Sequence, residues 1–107
     1  MVTQRFARVS PEVAYEITDG RKVVATAGQR EQLVATVSTA KGVFITAIAT
    51  NTGVTGVGGA TVVATAGTQQ GTPLYAGETI FIPIDDLSKV YLDVQISGNG
   101  VVYTKLV

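Results

Sequence analysis

Apolar and polar positions alternate most cleanly in the last third of the chain. Ile80, Ile82 and Ile84 fall on one side with Thr79 and Phe81 opposite, and Val90, Leu92, Val94 and Ile96 alternate with Tyr91, Asp93 and Gln95. A period of two marks a strand with one dry and one wet face. Strands are therefore predicted over residues 78–84 and 90–96. Pro83 cannot donate to a ladder, which puts the end of the first strand at a sheet edge or bulge. Ser97-Gly98-Asn99-Gly100 predicts a hairpin turn into a strand over 101–107, pairing the strands that carry Tyr91 and Tyr103.

Upstream the pattern is shorter-ranged. Residues 15–18 and 21–26 flank Asp19-Gly20, the signature of a hairpin closed by a type I′ turn. Residues 32–37 predict a second short strand. VFITAIA at 43–49 is apolar on both faces and predicts a central strand. NTGVTGVGG at 51–59 reads as a glycine-rich turn region, 60–66 as a strand and 68–72 as a polar loop. Ala76-Gly77 and Asp85-Asp86-Leu87-Ser88 read as turns. Residues 1–14 show no period and contain Ser10-Pro11, so they are expected to form an extended arm, with 15–107 a single β domain. The expected fold is all-β, an antiparallel β-sandwich or small β-barrel of about 7–8 short strands.

Composition reinforces this. Val occurs 17 times and Thr 15 times in 107 residues, and β-branched side chains suit a pleated sheet better than a helix. There is no His, no Cys and no Trp. Imidazole bases, thiolate nucleophiles, disulfides and zinc sites built on N or S ligands are thereby excluded. The expectation is a protein that is not an enzyme and uses no cofactor or metal. No apolar run reaches the ~18 residues that a membrane span needs, and neither a membrane nor a nucleic-acid partner is expected.

Charge changes the picture more. The net charge is zero, yet Arg5, Arg8, Arg21, Lys22 and Arg30 crowd the first 30 positions. Residues 42–77 then carry no charge at all. Such a segment is either a polar, uncharged surface or a face covered by neighbouring subunits.

Candidate chemistry is sparse. Gly53, Gly56, Gly58 and Gly59 lack the Lys of a phosphate loop and precede a strand-like run, so they read as a turn. Asp85 and Asp86 adjoin in one turn, where neither a calcium loop nor a pair of opposed carboxylates is formed. Tyr15, Tyr75, Tyr91 and Tyr103 could stack on sugars or support the sheet. Arg5, Phe6 and Arg8 in the arm suit docking onto another protein, with Phe6 as anchor. The interface is expected to comprise these three with Val54, Val57 and Tyr75 of the uncharged segment. VVATAG occurs at both 23–28 and 62–67, a recurrence attributed to shared strand preference, since the flanks differ.

The runs EITDGRKVVATAGQREQLV, NTGVTGVGG, LYAGETIFIPIDDLSKVYLDV and GNGVVYTKLV resemble a group of small virion proteins of tailed bacteriophages, from Glu16 to the last residue. The resemblance implies a structural protein of the particle, made in the host cytoplasm and resident in the virion. Within that group it points to a capsid decoration (cement) subunit that contacts the major capsid protein or another virion protein as a homo-oligomer. A neck, tail or fibre component and a carbohydrate-binding adhesion module are the alternatives.

Overall fold

The computed structural model describes residues 16–107; the arm, with Arg5, Phe6 and Arg8, lies outside them. The described chain is all-β and antiparallel: β1 (Ile17–Val23), β2 (Glu31–Gln32), β3 (Gly42–Ala47), β4 (Thr55–Gly58), β5 (Thr72–Leu74), β6 (Thr79–Ile82), β7 (Tyr91–Val94) and β8 (Gly100–Leu106). A 3-10 turn over Leu87–Lys89 precedes β7. Two four-stranded sheets result, one ordered β1-β8-β3-β6 and the other β2-β7-β4-β5. The fold is a small β-sandwich.

The core lies between the sheets. Val43, Ile45, Ala47 and Val101 of the first sheet are sealed from water against Val57, Leu74, Leu92 and Val94 of the second. Removing such side chains from water is the main favourable term in the fold, at about 2 kcal/mol for each fully buried Val, Leu or Ile. The central position predicted for the VFITAIA run holds: β3 sits between β8 and β6. The isoleucine alternation holds as well, with Ile80, Ile82 and Ile84 packed against the core and Phe81 exposed. β6 is an edge strand, and Pro83 follows it immediately.

Five local predictions fail for identifiable reasons. Asp19-Gly20 makes no turn; β1 runs straight through it and pairs with β8 along its whole length. Gly20 is there because the ring of Tyr103 occupies the space a Cβ would need. The glycine-rich 51–59 segment is not all turn, since its second half is β4, a strand between β5 and β7. The runs at 32–37 and 60–66 are not full strands: β2 stops at Gln32, and the second run makes only an isolated bridge, Val63 to Gln70. Finally, 97–100 does not close a hairpin between neighbours. β7 belongs to one sheet and β8 to the other, so the chain crosses the sandwich there and Tyr91 does not face Tyr103.

Candidate functional site

Four turns share one local design. The carbonyls of Thr26, Thr65, Tyr75 and Ile96 accept the N–H of Gln29, Thr68, Glu78 and Asn99, at 2.9–3.1 Å. In each the third residue is a glycine in the left-handed region: Gly28, Gly67, Gly77 and Gly98, with φ between +83° and +90°. That is a type II turn, and only glycine takes its third position without strain. The VVATAG recurrence therefore has a structural meaning: both copies end in the same turn.

All four turns meet at one end of the sandwich. Ala27, Gly28, Thr65 and Ala66 line a groove of about 390 Å³ beside Val94 and Gln95. A second groove of about 400 Å³ is lined by residues 51–54, Tyr75 and Ala76, again with Gln95. The Ser97 hydroxyl accepts the N–H of Ala27 at 2.9 Å, tying the first and fourth turns together.

Polar side chains of the strand ends fasten this loop cluster from beneath. Asp93, 2% exposed, accepts the N–H groups of Gly28, Ala64 and Val94. Gln95 accepts from Val54 N–H and donates to the Ala64 carbonyl. Asn99 accepts from Thr52 and Gly53, while Asn51 and the backbone of Gly100 exchange two bonds. Among the described residues no buried side-chain polar atom lacks a partner. A network satisfied this fully fixes loop geometry, because breaking any member strands a buried donor.

Asp93 corrects the wet face expected of β7. Its neighbours on that face are Gly56 and Pro73. Over Gly56 and Gly58 folds the 59–71 segment as a flap, whose Val62 would stand 3.2 Å from a Cβ at Gly56 and 3.4 Å from one at Gly58. The flap buries its own Val62 and Ala64 against the sheet, and Arg30 Nε donates to the Val62 carbonyl at 2.8 Å. The glycines are thus a seat for the flap, and the flap makes the outer face of this sheet dry.

The charges are sorted between the two ends. Asp85, Asp86, Lys89, Lys41 and Glu16 gather at the far end, where Ala40 bonds Asp85, Lys41 bonds Leu106 and Glu16 bonds Val107 through the backbone. There Asp86 caps the 3-10 turn. N–H groups of Ser38 and Ser88 and the Ser88 hydroxyl hold its carboxyl below the usual carboxylate range. At the loop end the exposed residues are Thr, Gly, Ala, Ser and Gln, with Tyr75 64% and Ile96 46% exposed. Glu78 is the one acid in its four turns, and its Oε1 is engaged by the N–H of Tyr75 at 2.8 Å.

Of the interface residues expected from sequence, Tyr75 is on this surface. Val54 and Val57 are 7% and 1% exposed for different reasons: Val57 points into the core between the sheets, whereas Val54 lies low in the lining of the Tyr75 groove. Sequence reasoning missed Gln95, Ile96 and the flap. The signal that could have found the end as a whole was the thrice-repeated Ala-Gly turn, at 27–28, 66–67 and 76–77. The described residues contain no cluster of acidic side chains able to hold a metal ion, and no helix long and apolar enough to cross a membrane. Compared with protein-family models, curated proteins and solved structures, the chain matches none.

Proposed function

We propose that this chain is a structural protein of a tailed-bacteriophage virion, a decoration subunit that binds the assembled head shell and performs no catalysis. The observation that carries this reading is the loop end: a rigid surface whose four turns carry a single charge, Glu78, centred on Tyr75 and Ile96 and held from below by buried polar clamps. A surface of this kind loses little hydration and little conformational entropy when another protein covers it. The sequence resemblance supplies the shell as the partner. Cementing then follows from mass action, since a subunit that binds only the assembled state stabilises it.

Purified protein mixed with mature capsids should co-sediment with them and saturate at hundreds of copies. Saturation at roughly a dozen or fewer would move it to the neck, tail or a fibre, where symmetry sets small numbers. No binding to any particle, together with its absence from virions by mass spectrometry, would sink the reading. One observation favours a second function: Tyr75 borders a groove with Asn51, Thr52 and Gln95, a ring beside hydrogen-bonding groups, as a sugar requires. A glycan array decides it, because binding lost on Tyr75→Ala promotes adhesion and silence across glycans removes it.

A further inference from the structure

The four sheet edges are not equally protected. β2 has two residues, β5 has three with Pro73 at its centre, and β6 has four followed at once by Pro83. β1, the remaining edge, is seven residues long, and it holds neither a proline nor a bulge. Short strands, prolines and charged side chains are how folded proteins keep edges from pairing with other chains. β1 has neither of the first two, no described strand covers its outer edge, and its charges, Asp19, Arg21 and Lys22, include both signs.

Its backbone parity defines what the open edge offers. Glu16 exchanges both hydrogen bonds with Val107, and Val24 N–H donates to Asn99, so the even-numbered residues turn their backbone toward β8. Ile17, Asp19, Arg21 and Val23 turn theirs outward. The same four residues share the outer face of the sheet, since their partners on β8 lie opposite the outward-facing Phe44 and Thr46 of β3. All four are exposed, Ile17 at 69% and Val23 at 38%, and neither Asp19 nor Arg21 has an ion-pair partner among the described residues.

We infer that β1 pairs antiparallel with β1 of a second copy about a two-fold axis at Gly20, joining two sheets into one of eight strands. In that register Ile17 lies opposite Val23 of the second copy and Asp19 opposite Arg21, each match occurring twice by symmetry. Opposite charges and apolar pairs directly across an antiparallel ladder are the favourable combinations. Sliding by two residues one way sets Asp19 against Asp19, and the other way Arg21 against Arg21. Both slips put like charges face to face, so the strand specifies its own register. The residues aligned by the two-fold also form the hydrogen-bonded pairs, which is the condition for a regular ladder. The partner is thus a second copy of this chain. The inference stands on the strand and not on the virion reading.

The test is a charge-reversal cycle read by sedimentation equilibrium of the full chain. The wild type should be dimeric at about 100 µM. Asp19→Arg and Arg21→Asp, each placing like charges at both symmetry-related positions, should weaken the dimer at least about tenfold. The double reversal Asp19→Arg/Arg21→Asp should restore it. Ile17→Cys/Val23→Cys provides a second readout. The chain has no cysteine of its own, and two positions six residues apart on one strand stand roughly 20 Å apart, too far to join internally. A short bis-maleimide crosslinker, long enough for the wider spacing of a hydrogen-bonded pair, should therefore give a covalent dimer. A monomeric wild type, a dimer that both single reversals leave intact, or no covalent dimer each overturns the inference. A monomer that still binds capsids sinks this inference alone; a dimer that binds none sinks only the virion reading.

Discussion

The carboxylate of Asp93 accepts the backbone N–H of Ala64 at 2.8 Å, joining a buried strand residue to the flap 29 positions earlier in the chain. Its other oxygen accepts Gly28 and Val94, so one acid holds the first type II turn, the flap and its own strand together. Asp93→Ala should leave three N–H groups short of their acceptor. The expected cost is about 3 kcal/mol, with stranded buried donors as its main part. Thermal unfolding measures the loss, and hydrogen exchange should accelerate first at the Ala64 and Gly28 amides. An unchanged melting temperature would show that the flap is held by apolar packing alone.

Gly67 stands at φ +86° with open space where a Cβ would go. A substitution there reports backbone strain without collision. Gly67→Val should cost about 1–2 kcal/mol, and Gly67→Asn clearly less, because asparagine tolerates the left-handed region. Equal losses for the two variants would mean the turn rearranges instead of straining. Gly71 differs: at φ +94° a Cβ would also lie 2.8 Å from the Val57 carbonyl, so Gly71→Ala should be the more damaging alanine substitution.

Acid should loosen the fold at two specific places. The Lys22 ammonium, hydrogen-bonded to Glu31 at 2.8 Å, holds that carboxyl below its usual range, with the Ala25 N–H adding to the effect. Asp86 is depressed by its bonds from Ser38 and Ser88. A carboxylate whose folded pKa is lowered contributes stability that is fully present above its unfolded pKa. That stability is lost as pH falls through the folded value. The melting temperature should accordingly hold from pH 7 to about 5 and fall below about 4.5. Asp86→Asn should lower stability at neutral pH and flatten part of the acid slope. A slope identical to wild type would remove Asp86 from this account.

Tyr75 should separate binding from folding. With its side chain 64% exposed, Tyr75→Ala should shift stability by no more than about 0.5 kcal/mol. The same variant should lose most of the affinity for whatever covers the loop end, as exposed aromatic anchors do. Circular dichroism melts beside a capsid co-sedimentation assay give both quantities. Unaltered binding would move the contact surface elsewhere.

The sequence was informative where structure is local. The isoleucine alternation of 80–84 and the doubly apolar run at 43–49 were legible because a strand's own period records which face is buried. Asp19-Gly20 misled because its turn signature is local, whereas the reason for Gly20 is the ring of Tyr103, more than eighty residues away. Asp93 misled in the same way: nothing within β7 records that residues 62–64 fold back over it. Gly56 and Gly58 looked like turn residues because small size at a strand surface and freedom at a turn are encoded by the same letter. The charge-poor loop end was half visible, as a gap in the charges, but the gap mixes core strands with exposed turns and only the fold separates them.

One consequence of the strand order concerns time. β8 lies between β1 and β3, so the first and third strands made have nothing to join them until residues 100–106 exist. The first sheet cannot close from one end as synthesis proceeds; it closes at a single late step that spans nearly the whole described chain. Topologies dominated by such distant pairings fold in about milliseconds to seconds rather than microseconds. Until then no described strand flanks β1, and a ribosome-held chain ending before residue 100 should remain protease-sensitive at β1 even where β3 and β6 have paired.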